Sequence, residues 1–178
     1  MVSFLQEYFN TNERLVDLNS VSDGICDNNS KNYVDFDKFI AKLHTQNFFN
    51  GDTFASCDTI LFNLDKNHLV FVEFKDMDDL STEEEIKIWW KMKNSSIYLK
   101  MADSILGLSY YFKKEHSQSF DSFMDISKSF FYVYRSSTYK NKINKHLEYK
   151  FSRYNFLFKN IRAIECTNFK AFLTKYGL

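Results

Sequence analysis

Proline does not occur in this chain of 178 residues, and glycine occurs only 4 times. With so little glycine there is no Gly-x-Ser-x-Gly elbow, no phosphate-cradling loop and no dinucleotide fingerprint, which disfavours serine-type hydrolases and nucleotide-binding enzymes. The missing proline, beside abundant Asn, Lys, Phe and Ser, fits a coding sequence biased toward A and T and carries no function. Cysteine is scarce too. Cys26, Cys57 and Cys166 are odd in number, far apart and without a Cys-x-x-Cys, which indicates neither a disulfide framework nor a zinc site and favours a reducing cytosol. The histidines His44, His68, His116 and His146 form no His-x-x-x-His or His-Cys grouping, so a histidine-held metal is disfavoured. No apolar run approaches the ~20 residues of a membrane span, and Met1 to Glu7 lack the basic region and apolar core of a signal peptide. The expectation is a cytoplasmic protein with no membrane partner.

The chain does have aromatic side chains in excess: 19% of residues, with 20 Phe and 11 Tyr, against an ordinary 44% hydrophobic and 26% charged content. Its length suits one well-buried core, so residues 1–178 are expected to form a single domain. Formal net charge is zero, but its distribution is uneven. Residues 1–87 hold 17 acids against 7 bases, residues 88–138 hold 4 against 7, and residues 139–178 hold 2 against 9.

Hydrophobic spacing predicts a helix over 3–18, a loop over 19–33, and a second helix capped by Asp35 with Phe36, Phe39, Ile40, Leu43 and Phe48 on one side and ended by Asn50-Gly51-Asp52. A short strand is expected at Thr53–Ser56. Thr59–Asn63 and Leu69–Lys75 read as a β-hairpin around the turn chemistry of Leu64-Asp65-Lys66-Asn67-His68. A capping box, Ser81-x-x-Glu84 or Thr82-x-x-Glu85, opens a long helix through Phe112. A strand at 130–134, a basic helix at 139–155, a strand at 161–166 and a helix at 169–176 complete the reading.

Within this pattern Leu69-Val70-Phe71-Val72-Glu73-Phe74-Lys75 stands out. A strand with apolar residues on both faces belongs in the middle of a sheet, where an acid and a base two positions apart are costly without partners. With a loop of either two or four residues, the hairpin register sets Asp58 opposite Glu73, and Lys75 shares their face. Two carboxylates and an ammonium converging on one spot suit a hard divalent cation such as Mg²⁺, bound through oxygen and retaining several waters. The bland alternative is that Glu73 and Lys75 pair with each other while Asp58 caps a turn.

The arrangement Cys57-Asp58-(x14)-Glu73-Phe74-Lys75 resembles the active site of the PD-(D/E)XK nuclease superfamily, with Cys57 at the variable proline position. The resemblance covers roughly residues 35–135 and leaves a basic α/β extension at about 136–178. It implies a restriction-endonuclease-like α-β-β-β-α-β core, a mixed α/β sheet flanked by helices. It also implies that Asp58 and Glu73 ligate Mg²⁺ or Mn²⁺, that the Phe74 carbonyl can add a ligand, and that Lys75 orients or activates the attacking water. An early-helix acid often completes such a site; Glu7, Glu13, Asp17 and Asp37 are the candidates. Lys100 and Ser104, one turn apart on the long helix, could face the site.

The expected function is accordingly metal-dependent hydrolysis of phosphodiester bonds in DNA, in restriction, repair or defence against mobile DNA. The alternative is a catalytically silent nuclease-fold module that binds protein or nucleic acid, for which surplus aromatics and near-neutral charge speak. A homodimer or a protein partner stays open. The basic C-terminal stretch is the natural source of phosphate contacts. Neutralising Lys140, Lys142, Lys145, Lys150 and Arg153 should weaken DNA binding across sequences and flatten its salt dependence by roughly one unit per lost contact. Titrations at several salt concentrations check this, and an unchanged slope would leave the segment as surface.

Overall fold

The apolar run that ends in Glu73 and Lys75 does lie at the centre of a sheet. In the computed structural model, residues 1–13, 15–27, 31–46, 48–49, 54–117, 119–135, 148–149 and 152–178 are described. A four-stranded mixed sheet has the order β3 (Thr59–Asn63), β4 (His68–Asp76), β5 (Ser127–Arg135), β6 (Asn160–Glu165). β3 runs antiparallel to β4, while β4, β5 and β6 are mutually parallel. The two central strands are buried almost throughout, as strands covered on both faces must be.

Helices lie against both faces. On one side α1 (Val2–Asn12), α3 (Phe36–Thr45) and α4 (Glu83–His116) pack Leu5, Phe9, Phe39, Ile40, Met101 and Leu108 against Phe71, Phe130 and Tyr132. On the other side α2 (Leu18–Val21) and α6 (Cys166–Tyr176) set Leu18, Val21, Phe169 and Leu173 against Val70, Val72, Phe131 and Val133. The protein is therefore a mixed α/β structure. A short helix, α5 (Phe120–Met124), leads from α4 into β5. β6 and α6 extend the same sheet and cover its face.

Local chemistry explains the element ends. Asp35 caps α3 by accepting the Lys38 N–H at 3.1 Å, as its position predicts. Of the two candidate capping boxes the fold uses Thr82 with Glu85. The hairpin loop is the four-residue one, Leu64–Asn67, with Asn67 in the left-handed region at φ 45°, a conformation asparagine tolerates better than most residues. The observed register pairs Thr59 with Val72 and Asn63 with His68, as the pattern requires.

Five expectations are corrected, the first being the reach of α3, which stops at Thr45 before Phe48. The first helix does not run to residue 18: it stops at Asn12, Leu15–Val16 (β1) pairs with Tyr33–Val34 (β2), and Asp17 caps α2 by accepting the Ser20 N–H at 2.8 Å. The stretch 19–33 consequently holds parts of α2 and β2 instead of being a plain loop. No strand forms at 54–56, Thr53 lying outside the described residues, so among the described residues two strands, not three, lie between α3 and α4. Cys26 and Cys166 form a disulfide with Cα atoms 5.6 Å apart, since α6 starts beside the segment after α2, a proximity that a separation of 140 residues hides. That pairing removes the thiol argument for a reducing compartment. Most of the predicted basic helix at 139–155 lies outside the described residues; at its end Ser152–Tyr154 form a 3₁₀ turn. Among the described residues no helix is long and apolar enough to cross a membrane.

Lys128 on β5 is nearly fully buried, and its ammonium donates to the carbonyls of Phe123 (2.7 Å), Met124 (3.0 Å) and Ile126 (2.8 Å), which closes the end of α5. Lys128→Met would leave three buried carbonyls without that donor. It should cost about 2–4 kcal/mol in urea unfolding, with faster amide exchange across α5; a loss below ~0.5 kcal/mol would mean that water replaces the ammonium freely.

Candidate active site

At the C-terminal end of β4 the charged residues meet on the face covered by α4. Asp58 stands just before β3, its N–H donating to the Val72 carbonyl at 3.1 Å and its own carbonyl accepting from Phe36 N–H at 3.0 Å. These bonds tie Asp58 to Val72, the β4 partner of Thr59, and to Phe36 at the start of α3. The Asp58 carboxylate accepts the Phe74 N–H through Oδ2 at 2.6 Å. Glu73 is wholly buried, and Lys75, two positions on, brings its ammonium to 2.6 Å from Glu73 Oε1. Asp58, Glu73 and Lys75 therefore come together as the spacing predicts. The bland alternative also describes part of what is seen, because Glu73 and Lys75 do pair and Asp58 does cap a backbone N–H. Phe74 turns its ring to the opposite face, against Phe169.

Lys100, on α4, does face the site: its Nζ lies 3.0 Å from Glu73 Oε2, 3.0 Å from Oε1 and 3.5 Å from Asp58 Oδ1. It sits between the two carboxylates. Ser104, one turn further along, accepts the Cys57 N–H at 2.9 Å and holds the chain just ahead of Asp58 without reaching the carboxylates. The helical step from Lys100 to Ser104 was the available signal, since it places both on one face.

Among the early acids, Glu13 pairs with Lys42 and Asp17 caps α2, so neither faces the cluster. Glu7 is exposed on α1. Asp37 accepts a hydrogen bond from Ser56 Oγ at 2.5 Å, and its charge is felt at Asp58.

The electrostatics follow from burial. Burial raises the Asp58 pKa above its ordinary value, against the opposing pull of Lys100, Lys75 and the Phe74 N–H. Burial raises Glu73 as well, with repulsion from Asp58 adding to it and Lys75 and Lys100 opposing it. For Lys100, burial works against the ammonium, but Glu73 and Asp58 outweigh it and hold its pKa above the usual lysine value. Burial, then the charge of Glu73, keeps the neighbouring Cys57 thiol and Tyr132 phenol protonated. Glu73 Oε1 lies within ion-pair reach of both ammoniums, 2.6 Å from Lys75 Nζ and 3.0 Å from Lys100 Nζ.

Such a donor set fits a hard cation. Mg²⁺ commonly takes one or two carboxylates and keeps its remaining waters, and Asp58 with Glu73 supplies two, both now facing Lys100. No cluster of three or more His, Cys, Asp or Glu side chains occurs among the described residues, so any such ion would rely on backbone oxygen, water or substrate for the rest. A pocket of about 210 Å³ opens here, lined by Asp58, Phe74, Lys75 and Asp76 on one side and by Val21, Ser22, Asp23 and Ile25 on the other. In comparisons with known proteins no family model matches the chain, and no curated protein or solved structure matches it either.

Removing Lys100 tests this electrostatic picture. Lys100→Met should destabilise the protein by about 3 kcal/mol near neutral pH, because it leaves buried charge under-compensated. The penalty should shrink as pH falls toward 5: the carboxylates already titrate above their ordinary values, so the folded variant takes up protons that the unfolded chain does not, which favours folding as pH drops. Urea unfolding of both proteins at pH 5 and 7.5 measures this, and a pH-independent penalty would contradict it.

Proposed function

We propose that this chain is a PD-(D/E)XK-type nuclease that uses Mg²⁺ or Mn²⁺ to hydrolyse phosphodiester bonds in DNA. The observation that carries the reading is the convergence of Asp58, Glu73 and Lys75 at one end of β4, with Asp58 delivered by the antiparallel partner strand. The order α3, β3, β4, α4, β5, with β5 parallel to β4, agrees with a restriction-endonuclease-like core except that its first strand is absent among the described residues. Asp58 and Glu73 would hold the ion, with the Phe74 carbonyl as a further ligand. When bound, a divalent cation supplies Lewis-acid polarisation of the phosphate and acidifies water. Lys75, partly exposed beside the pocket, would orient the attacking water and stabilise charge developing on the phosphate. Lys100 would withdraw from between the carboxylates as the ion enters. Restriction, repair and defence against mobile DNA are the settings such a nuclease serves, and a cytoplasmic location accords with them.

Lys100 also favours a second reading. An ammonium between the two carboxylates neutralises them internally, as a catalytically silent nuclease-fold module binding protein or nucleic acid would require.

The two readings separate on Lys75 and Asp58. In the nuclease, Lys75→Ala should reduce cleavage of plasmid and linear DNA by hundreds- to thousands-fold while DNA binding persists, because the loss is confined to the transition state. Mn²⁺ should raise Tm of the wild type by mass action but not that of Asp58→Ala. Full cleavage by either variant would end the enzymatic reading, and a Tm that ignores Mn²⁺ in the wild type would favour the silent module.

A further inference from the structure

The long helix α4 has two apolar sides. One packs Ile86, Trp90, Ile97, Met101, Ile105, Leu108 and Phe112 into the core. The other carries Ile88, Met92, Leu99, Leu106 and Tyr110, which are between 45 and 70% exposed. At ~100° per residue these five point within roughly 20° of one direction, forming a narrow seam about 33 Å long. The spacing of Met92, Leu99 and Leu106 is a heptad spacing, as in helices that pair along their length. An exposed apolar stripe of this kind marks an interaction surface.

The stripe is complementary to itself. Met92 and Leu106 stand seven residues to either side of Leu99, and Ile88 and Tyr110 stand eleven to either side. Beyond them, Glu85 and Lys113 lie fourteen residues out and Glu84 and Lys114 fifteen, again on opposite sides. We propose that two copies of this chain associate through α4, antiparallel, about a two-fold axis that passes through Leu99. Leu99 then meets Leu99 of the copy, Met92 meets Leu106, Ile88 meets Tyr110, and the acidic first turn of each helix lies over the basic last turn of the other.

The charges choose this arrangement. In a parallel pair, Glu83, Glu84 and Glu85 would oppose their own counterparts and Lys113 and Lys114 theirs. The antiparallel pair opposes Glu84 to Lys114 and Glu85 to Lys113, against the single like pair Glu83 and Glu115, and also sets each helix's positive end against the other's negative end. A surface whose residues map onto themselves under a two-fold rotation is what an isologous dimer needs, whereas an unrelated partner gives no reason for that symmetry. Ser95 and Ala102 flank the seam and are small enough for close helix approach. The apolar stripe offers on the order of 500 Å² per copy, and its polar rim brings it to the lower range of specific interfaces. The proposal is independent of the nuclease reading, because none of these seam residues enters the Asp58–Glu73 cluster.

Sedimentation of the full chain at about 1 to 100 µM tests it. The expected result is a species of twice the 21.3 kDa chain mass, converted to monomer by Leu99→Glu, which should melt as a folded protein. Leu99→Cys, sitting on the axis, should cross-link to its own copy on mild oxidation, with the wild type and the off-seam Lys93→Cys as controls. A monomer at every concentration would overturn the proposal and leave the stripe to a different protein. A dimer that survives Leu99→Glu, or one in which Lys93→Cys cross-links as readily as Leu99→Cys, would overturn it too.

Discussion

A carboxylate with no solvent exposure, placed in the middle of a hydrophobic sheet, is the constraint on which the rest of this structure turns. Glu73 would be intolerable alone: the desolvation of a single buried charge amounts to several kcal/mol, a large share of the net stability of a domain this size. Its neighbours answer that requirement. Lys75 reaches back along the strand, and α4 is laid across the sheet so that Lys100 arrives from the opposite layer. Burial, and then the charge of Glu73, keeps the Cys57 thiol and Tyr132 phenol neutral beside the two carboxylates and two ammoniums. A well-packed apolar core would stabilise the fold at least as well, which is why the cluster points to function.

Its position is equally informative. The cluster lies at the C-terminal edge of β4, beside a parallel neighbour and an antiparallel one, where Asp58 enters from a hairpin strand held by Phe36 and Val72. The far wall of the adjoining pocket comes from the Val21–Ile25 segment, which the Cys26–Cys166 disulfide and the Arg135 bond to the Gly24 carbonyl tie to α6 and β5. The charged groups thus sit on rigid strands, and the wall opposite them is anchored at its end. The proposed cation site would draw on that rigidity.

How much of this the sequence discloses depends on the range of the interaction. The hairpin register was readable because strand side chains alternate and the turn residues Asp65, Lys66 and Asn67 leave few loop lengths; that alone put Asp58 opposite Glu73. Caps were readable for the same local reason, at Asp35 and at Thr82 with Glu85. The break of the first helix was not, because the pairing of Leu15–Val16 with Tyr33–Val34 overrides an uninterrupted helical spacing. Nor was the bridging role of Lys100: its place one turn from Ser104 fixed a face, but only the packing of α4 on the sheet decides what that face meets. The Cys26–Cys166 pair was hidden by the same distance in sequence. Strand ends at β5 and β6 were readable to within a few residues, since apolar runs mark the middle of a strand better than its edges.

In the proposed cation site of Asp58 and Glu73, Lys100 is the resident counter-charge. Diffraction from crystals soaked in Mn²⁺, recorded where manganese scatters anomalously, addresses it most directly. The account predicts one strong anomalous peak between the Asp58 and Glu73 carboxylates, with the Lys100 ammonium moved away from both. Crystals that show no peak there, with Lys100 still bridging the two carboxylates at high Mn²⁺, would contradict it.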